Sequence, residues 1–457
     1  MSESPGSGYV LVRGLSRLLL GLFYPSIEVI GRENVPDDGP LIVAANHHNS
    51  IVDAMILMAA FHRPLRVLAN APLFRHPLIG PFLRAIGGLP VHRRQEAGDD
   101  PERNRDLFAA TTAALGRGSA IALFPEGRTQ PEPALQQVKT GAARMLLAAE
   151  AAHPDGPRVV LLPVGLVFDR PGTFRDGRAV VAIGSPVPAG GLPGEAGEPL
   201  APARRLTERL RDALRALIVE ADDRATLRLL RLAEEIWRDG DGGGVAAART
   251  EVDRVRWLQD AMRAYRALRR TDPERVAAFR RELEEYDRDA EWSGYGGDRS
   301  GRRYSWTAVA HFVIAESISL LVATPLALTG LALHGIPYNL TAFAVRRIPH
   351  TDEEEATDKI AAGLVMYPLC WLAEGVLAFL LGGGRAVAVF LAALPVTGFF
   401  ALAWWERLRR VASEARAFAR YLGERELPRR LRLRREELGR ELRSLAALEG
   451  AKAGAGA

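Results

Sequence analysis

Two apolar runs late in the chain limit its architecture more than any other feature. Ile360–Leu381 carries one charge, Glu374, and Ala386–Trp405 carries none. As helices these 22 and 20 residues would reach about 33 and 30 Å, enough to span a bilayer's hydrocarbon core. GGGR (Gly382–Arg385) separates them, and Trp404 and Trp405 stand where an interfacial belt would. The pattern predicts a helical hairpin in a membrane, with a buried soluble helix pair as the alternative. Thr307–Val345 is also mostly apolar but holds His311, Glu316, Pro325 and Pro337. It is too long for one ordinary span and too short for two with a turn. Arg302 and Arg303 precede it, and Arg407, Arg409 and Arg410 follow the hairpin. The positive-inside rule puts both flanks in the cytoplasm and requires an even number of crossings. Thr307–Val345 is therefore either re-entrant or interfacial, or contributes one full crossing that another segment compensates; the re-entrant form is favoured, with Pro325 or Pro337 breaking its helix.

The front of the chain reads differently. Residues 25–190 alternate short β-rich runs with helical stretches: Ile27–Ile30, Leu41–Ala45, Leu65–Ala69, Ala120–Phe124, Val159–Phe168 and Ala179–Gly184 are the strands. This predicts an α/β domain with a mostly central, buried sheet. Residues 200–300 repeat leucines at helical spacing among Arg and Glu, interrupted by the linkers Asp239–Gly244 and Ser293–Arg303. At the start, Arg13 and Arg17 share one helical face, and Leu11, Leu18, Leu19, Leu22 and Phe23 spread over the other side. That describes a short amphipathic helix able to lie on a membrane, or an ordinary helix packed on a domain. The expected divisions are 1–24 amphipathic helix, 25–215 α/β domain, 216–303 charged helical region, 304–410 membrane segments and 411–457 Arg-rich helical tail.

Composition excludes several classes. The single cysteine, Cys370, rules out a disulfide framework and a cysteine zinc cage, and no other residues group as metal ligands. A net charge of +5 suits an anionic membrane surface or phosphate-bearing substrates, and is too small to argue for nucleic acid. Leu18–Phe23 is short and lacks a cleavage site after it, so no secretory signal is expected.

Chemistry concentrates in LIVAANHHNSIVDAM. A strand ends at Asn46; His47, His48, Asn49 and Ser50 form a polar loop, with Ser50 placed to cap a helix from Ile51. His48 and Asp53 stand five apart. Within one helix they would lie about 140° apart and could not pair. With His48 in the loop and Asp53 in the first turn, the carboxylate reaches back to the imidazole. A carboxylate on one ring nitrogen fixes the tautomer and leaves the other as a base for a hydroxyl. A histidine that only caps a strand–helix junction has the same spacing. His47 competes, but Val52 stands five residues on, so it lacks that partner.

Three further stretches carry possible sites. In GGLPVHRR, Gly87 and Gly88 allow close backbone approach, and Arg93 and Arg94 offer forked donors for a phosphate, or form a solvated turn. In LFPEGRTQ, an apolar strand ends in Pro125-Glu126-Gly127; Arg128 can face a phosphate, and Glu126 can hold Arg128 or Arg93 or bind a substrate hydroxyl. Lys139 adds a cation near the start of the next helix. In LLPVGL, Pro163 marks an edge or bulge in a strand, or shapes an acyl pocket.

The order HNSIVD, GGLPVHR, FPEGRT, LPVG resembles the glycerophospholipid acyltransferase family, which includes lysophosphatidate and glycerol-3-phosphate acyltransferases. The resemblance covers residues 25–215 and looks like a larger bacterial, membrane-attached branch. It implies that His48 is the general base and Asp53 its orienting partner. It implies that Gly87 and Arg93 lie in the acceptor-binding element, that Glu126, Gly127 and Arg128 help bind the acceptor phosphate, and that Pro163 belongs to the fourth block. Two departures stand out: His47 precedes His48, and Arg128 precedes Thr129 where the family often has Thr before Arg.

The implied reaction moves an acyl group from acyl-CoA or an acyl carrier protein to a lysophospholipid hydroxyl, most simply 1-acyl-glycerol-3-phosphate, with no cofactor. Arg93, Arg128 and Lys139 would hold the phosphate and so place the hydroxyl. A glycerol-3-phosphate acyltransferase is the same-class alternative; a non-catalytic lipid-binding membrane protein and a thioester hydrolase are the others. The implied location is the inner membrane, multi-pass, with the catalytic domain cytoplasmic.

Overall fold

The computed structural model describes residues 6–24, 26–76, 79–91, 101–127, 134–168, 178–190, 200–221, 223–240, 251–293, 306–347, 355–423 and 426–455. Two compact units divide the chain. The first comprises residues 1–224, 250–259 and 350–360; the second comprises 225–249, 260–349 and 361–457.

The first unit is built on β2 (Leu41–Ala45), whose five residues are all buried. A strand buried on both faces reads as a continuous apolar run, and its side chains divide between two layers. Leu41, Val43 and Ala45 join one core with α1 (Ser7–Phe23), α2 (Ile51–Ala60) and α3 (Ile79–Ala85). Ile42 and Ala44 join the other with α4 (Pro101–Gly116), α5 (Gly141–Ala152) and α6 (Ala201–Arg215). The remaining strands are β1 (Ser26–Ile30), β3 (Leu65–Asn70), β4 (Leu89–Val91), β5 (Ala120–Leu123), β6 (Val160–Phe168) and β7 (Arg178–Ile183). The sheet order is β1-β7-β6-β2-β5-β3-β4, parallel except for the β6–β7 pair. Hence β2 and β5 lie side by side and release their following loops at the same, C-terminal edge, where open α/β sheets bind ligands.

All six expected strands form, each within one residue at either end. The seventh, β4, was read only as a glycine turn followed by arginines; three residues are too few to give a period. Pro163 corrects the expectation of an edge or bulge. It sits in β6, between β7 and β2, paired with Ala44. Its carbonyl accepts from Gly184 N–H, just past the end of β7. Nitrogen and carbonyl of one strand residue point the same way, so the missing N–H falls where the β7 ladder has already stopped.

At the opposite edge, Arg63, 4% exposed, donates to the carbonyls of Pro36, Asp38, Gly39 and Gly118 at 3.1, 3.1, 2.7 and 3.0 Å. One guanidinium thereby ties together the loops that enter β2 and β5.

Helix α1 packs on this unit through Tyr9, Val12, Ser16, Leu20 and Phe23. Arg13 is partly buried, whereas Arg17 stays exposed. Arg13 donates to Phe61 O and His62 O, and Arg17 to Ala59 O, satisfying carbonyls at the end of α2. Val10, Leu11 and Leu18 are left 57, 73 and 53% exposed.

The second unit is helical: α7 (Arg224–Gly240), most of α8 (Glu251–Thr271), α9 (Pro273–Ser293), α10 (Trp306–Arg347), nearly all of α11 (Glu355–Gly423) and α12 (Leu427–Ala455). Arg434 on α12 bridges Glu285 and Asp289 on α9, and Arg435 donates to Tyr286.

Both late apolar segments pass the length and hydropathy of a membrane span: Ile314–Arg347 and Thr357–Ala412. Within α11 the helix is interrupted at Gly382 and Gly383, the latter at φ 64°. A Cβ on Gly375 would lie 3.6 Å from Phe390, whereas an unbroken helix would hold residues fifteen apart at about 22 Å. The helix therefore folds back as a hairpin at the GGGR segment. It also runs through the boundary expected at residue 410 and continues to Gly423.

Helix α10 corrects the expected break: Pro325 and Pro337 both lie inside one continuous helix. Hydroxyls of Thr329 and Thr341 donate to the carbonyls of Pro325 and Pro337 one turn back. Glu316 pairs with Arg407, and Trp404 Nε1 donates to Leu320 O at 3.2 Å.

Candidate active site

The site is built where β2 and β5 end. Asn46, fully buried, continues the β2 ladder with its side chain: Nδ2 donates to Leu166 O, and Oδ1 accepts Leu166 N–H at 2.6 Å. This pins the chain just before His47. The next four residues turn sharply, and Ser50 takes φ 47°, the one positive φ outside glycine among the described residues. Ser50 is the N-cap of α2 by position, yet its side chain makes no capping bond.

Asp53 organises the turn instead. Its Oδ2 accepts main-chain N–H groups from His48 and Asn49, each at 2.8 Å. The same oxygen lies 2.8 Å from His47 Nδ1. The expected pairing of Asp53 with the His48 imidazole is thus corrected. His48 offers Asp53 its backbone, and His47 offers its ring. The turn at Ser50 shortens the path so that six residues, not five, bring a ring to the carboxylate. His47, with Val52 five residues on, finds its partner six residues on, because the loop is not extended.

The His47 ring also stacks on Phe124, with centroids 4.0 Å apart and planes at 13°. Its side chain is 14% exposed, and that of Asp53 is 0% exposed. With Nδ1 donating to the carboxylate, Nε2 keeps the lone pair and can accept a proton from an incoming hydroxyl. Asn49 Nδ2 donates to Tyr24 OH at 2.6 Å, closing the back of the loop.

From β5 comes Glu126, 2% exposed. Its Oε1 accepts His47 N–H at 2.9 Å and its Oε2 accepts Gln136 N–H at 3.0 Å. Burial pushes this carboxyl above the ordinary carboxylate range, against the pull of the Gln136 N–H and the two neighbouring histidines. Gly127 follows at φ 72°. A Cβ there would come within 2.6 Å of Lys139 Nζ, so the glycine leaves room for an exposed ammonium beside the His47 loop.

Of the residues singled out from sequence, His48, Asp53, Glu126, Gly127 and Lys139 gather at this edge. Gly87 ends α3 at φ 65°, its N–H donating to Arg84 O, which is a helix-terminating role. Pro163 packs beside Gly184 within the sheet. Arg93 and Arg128 lie outside the described residues. Sequence reasoning missed the ring of His47, the stacking of Phe124 and the Tyr24–Asn49 bond. The adjacent histidines were the only signal for the first.

Residues 26–167 match the family model described as Acyltransferase. An uncharacterized acyltransferase of Schizosaccharomyces pombe is 26% identical over 312 residues, 48% of this chain and 45% of that protein. Glycerol-3-phosphate O-acyltransferase 2 of Saccharomyces cerevisiae is 29% identical over 137 residues, 30% of this chain and 18% of its own length. The 1-acyl-sn-glycerol-3-phosphate acyltransferase of Borreliella burgdorferi is 28% identical over 142 residues, 30% of this chain and 53% of that one. This chain thus spans at most about half the length of each of these relatives.

Proposed function

We propose that the chain, whose residues 26–167 match the Acyltransferase family model, acylates a lysophospholipid hydroxyl, with 1-acyl-glycerol-3-phosphate as acceptor. The observation that carries this is an imidazole held by a buried carboxylate, 2.8 Å away, at the edge where an exposed lysine lies against Gly127. Nε2 of His47 takes the acceptor's hydroxyl proton. The oxygen attacks the thioester carbonyl of acyl-CoA or an acyl carrier protein. The tetrahedral centre collapses, the C–S bond breaks, and the thiolate recovers the proton from the imidazolium. His48 is the second reading of the base, favoured by its five-residue spacing to Asp53.

Lys139 meets the acceptor phosphate, together with Arg93 and Arg128 as the family resemblance suggests. Lys139→Ala should raise the acceptor KM by about tenfold or more, since a charge-assisted contact contributes about 1.5–3 kcal/mol. The donor KM should stay unchanged; a rise in the donor KM alone would move Lys139 out of the acceptor site. The reaction itself is tested with purified protein, labelled acyl-CoA and a panel of acceptors. Glycerol-3-phosphate in preference to its monoacyl derivative would favour the first acylation step, the activity named for the yeast relative. Equal use of a phosphate-free glycerolipid would overturn the phosphate reading.

The domain works at a membrane, on this reading. The α11 hairpin crosses the bilayer, the unbroken α10 adds no net crossing, α1 lies on the surface by Val10, Leu11 and Leu18, and the α/β domain and the Arg-rich tail share the cytoplasmic side. With Cys370 replaced, a cysteine at Gly383 should react with an impermeant maleimide added to intact cells. A cysteine at Ala453 should not. Labelling at Ala453 would make α10 a third crossing and refute an even number.

A further inference from the structure

Glu126 stands where family resemblance expects an acceptor ligand, but its carboxylate is already engaged. Both oxygens accept main-chain N–H groups, one from His47 and one from Gln136. These donors belong to different segments: the loop after β2 and the stretch leading into α5. A side chain 2% exposed with each oxygen committed has little left to offer a substrate hydroxyl. Burying a carboxylate is costly, and only good hydrogen bonds offset it. Here those bonds go to backbone, and one goes to the residue whose ring Asp53 holds.

His47 is consequently fixed at three points. Its N–H is held by Glu126, its Nδ1 by Asp53 and its ring face by Phe124. The Asp53 and Phe124 contacts alone set the plane of the ring; the Glu126 contact sets where that ring starts from. Lys139 belongs to the same stapled segment, because its N–H donates to Pro125 O at 2.9 Å. The two anchors of Glu126 therefore define the separation between the base and the lysine ammonium.

We propose that Glu126 is a positioning residue rather than an acceptor ligand, tying the His47 main chain to the Gln136 segment so that the imidazole and the acceptor's phosphate stand in register. This rests on the imidazole-base reading above. Glutamine at 126 keeps one acceptor and turns an amide N–H₂ toward the other N–H. Aspartate keeps the charge but cannot span both donors.

The test combines kinetics with a readout that needs no turnover. Glu126→Gln and Glu126→Asp should each lower kcat by about 10–100-fold, the size of effect expected from a displaced catalytic group. The acceptor KM should move less than about threefold, because no substrate contact is lost. On a His47→Ala background, Glu126→Gln should change kcat less than about twofold, since the residue acts through His47. Carbethoxylation of the His47 imidazole by diethyl pyrocarbonate, followed by mass spectrometry, should speed up severalfold in Glu126→Gln. A rise in acceptor KM with kcat intact would make Glu126 an acceptor ligand and overturn the proposal. So would full additivity with His47→Ala, or an unchanged labelling rate. If Glu126→Gln fails to fold, Glu126→Asp is read in the same three ways. If the wild-type protein transfers no acyl group, the functional reading fails while the labelling arm still decides the placement of His47.

Discussion

Exchange of His47 for alanine should lower acyl transfer by about 10²–10⁴-fold, the contribution of a positioned general base. Asp53→Asn should cost nearly as much. The amide can still accept one N–H group, but it no longer stabilises the imidazolium formed when the base takes a proton. His48→Ala should cost much less, because the His48 group that meets Asp53 is its main-chain N–H, which alanine retains. Initial rates at saturating donor and acceptor decide between them. Loss of turnover in His48→Ala with His47→Ala active would return the base to the five-residue pair, and Asp53 Oδ2 would then have to exchange one ring for the other during the reaction.

The second large effect is on stability and lies at the other edge of the sheet. Arg63→Ala should destabilise the first unit by about 3 kcal/mol. It would leave the carbonyls of Pro36, Asp38, Gly39 and Gly118 without their shared donor, and hydrogen bonds to charged groups contribute about 1.5–3 kcal/mol each. Chemical denaturation followed by circular dichroism measures this. Lysine at 63 should recover only part of the loss, because an ammonium cannot match the forked geometry toward four acceptors. The acceptor KM of folded Arg63→Ala protein should match wild type; a raised KM would mean that this edge of the sheet reaches the site.

The sheet was legible because its central strands are buried on both faces. Leu41–Ala45 has no polar residue to disguise it, and Gly39 and Pro40 mark its start. β4 was not legible, since Leu89–Val91 is too short to show alternation and draws its stability from pairing with β3. The site was legible as a neighbourhood and not as a set of bonds. Adjacent histidines, an aspartate and a Pro-Glu-Gly turn located the edge. The choice between two imidazoles depended on the backbone path of the His47–Ser50 turn, in which Ser50 takes a positive φ that residue type does not encode. The same holds for Arg13 and Arg17. Their spacing correctly put them on one face, but the carbonyls at the end of α2 claimed that face, which no local pattern announces.

The engagement of Arg13 by the end of α2, which leaves Arg17 as the exposed arginine of the pair, changes what could hold α1 to a bilayer. A polybasic anchor attracts anionic headgroups and is released by salt within a Debye length of about 8–10 Å. The side of α1 left to solvent offers Arg17 and, over a larger area, Val10, Leu11 and Leu18; the attraction of these three to lipid scales with apolar area. On the proposed seating of α1, grip on a zwitterionic vesicle should keep most of the grip on an anionic one, and raising the ionic strength should remove only the share that Arg17 supplies. On that reading, changes in headgroup charge would loosen this end of the protein less than changes in acyl packing.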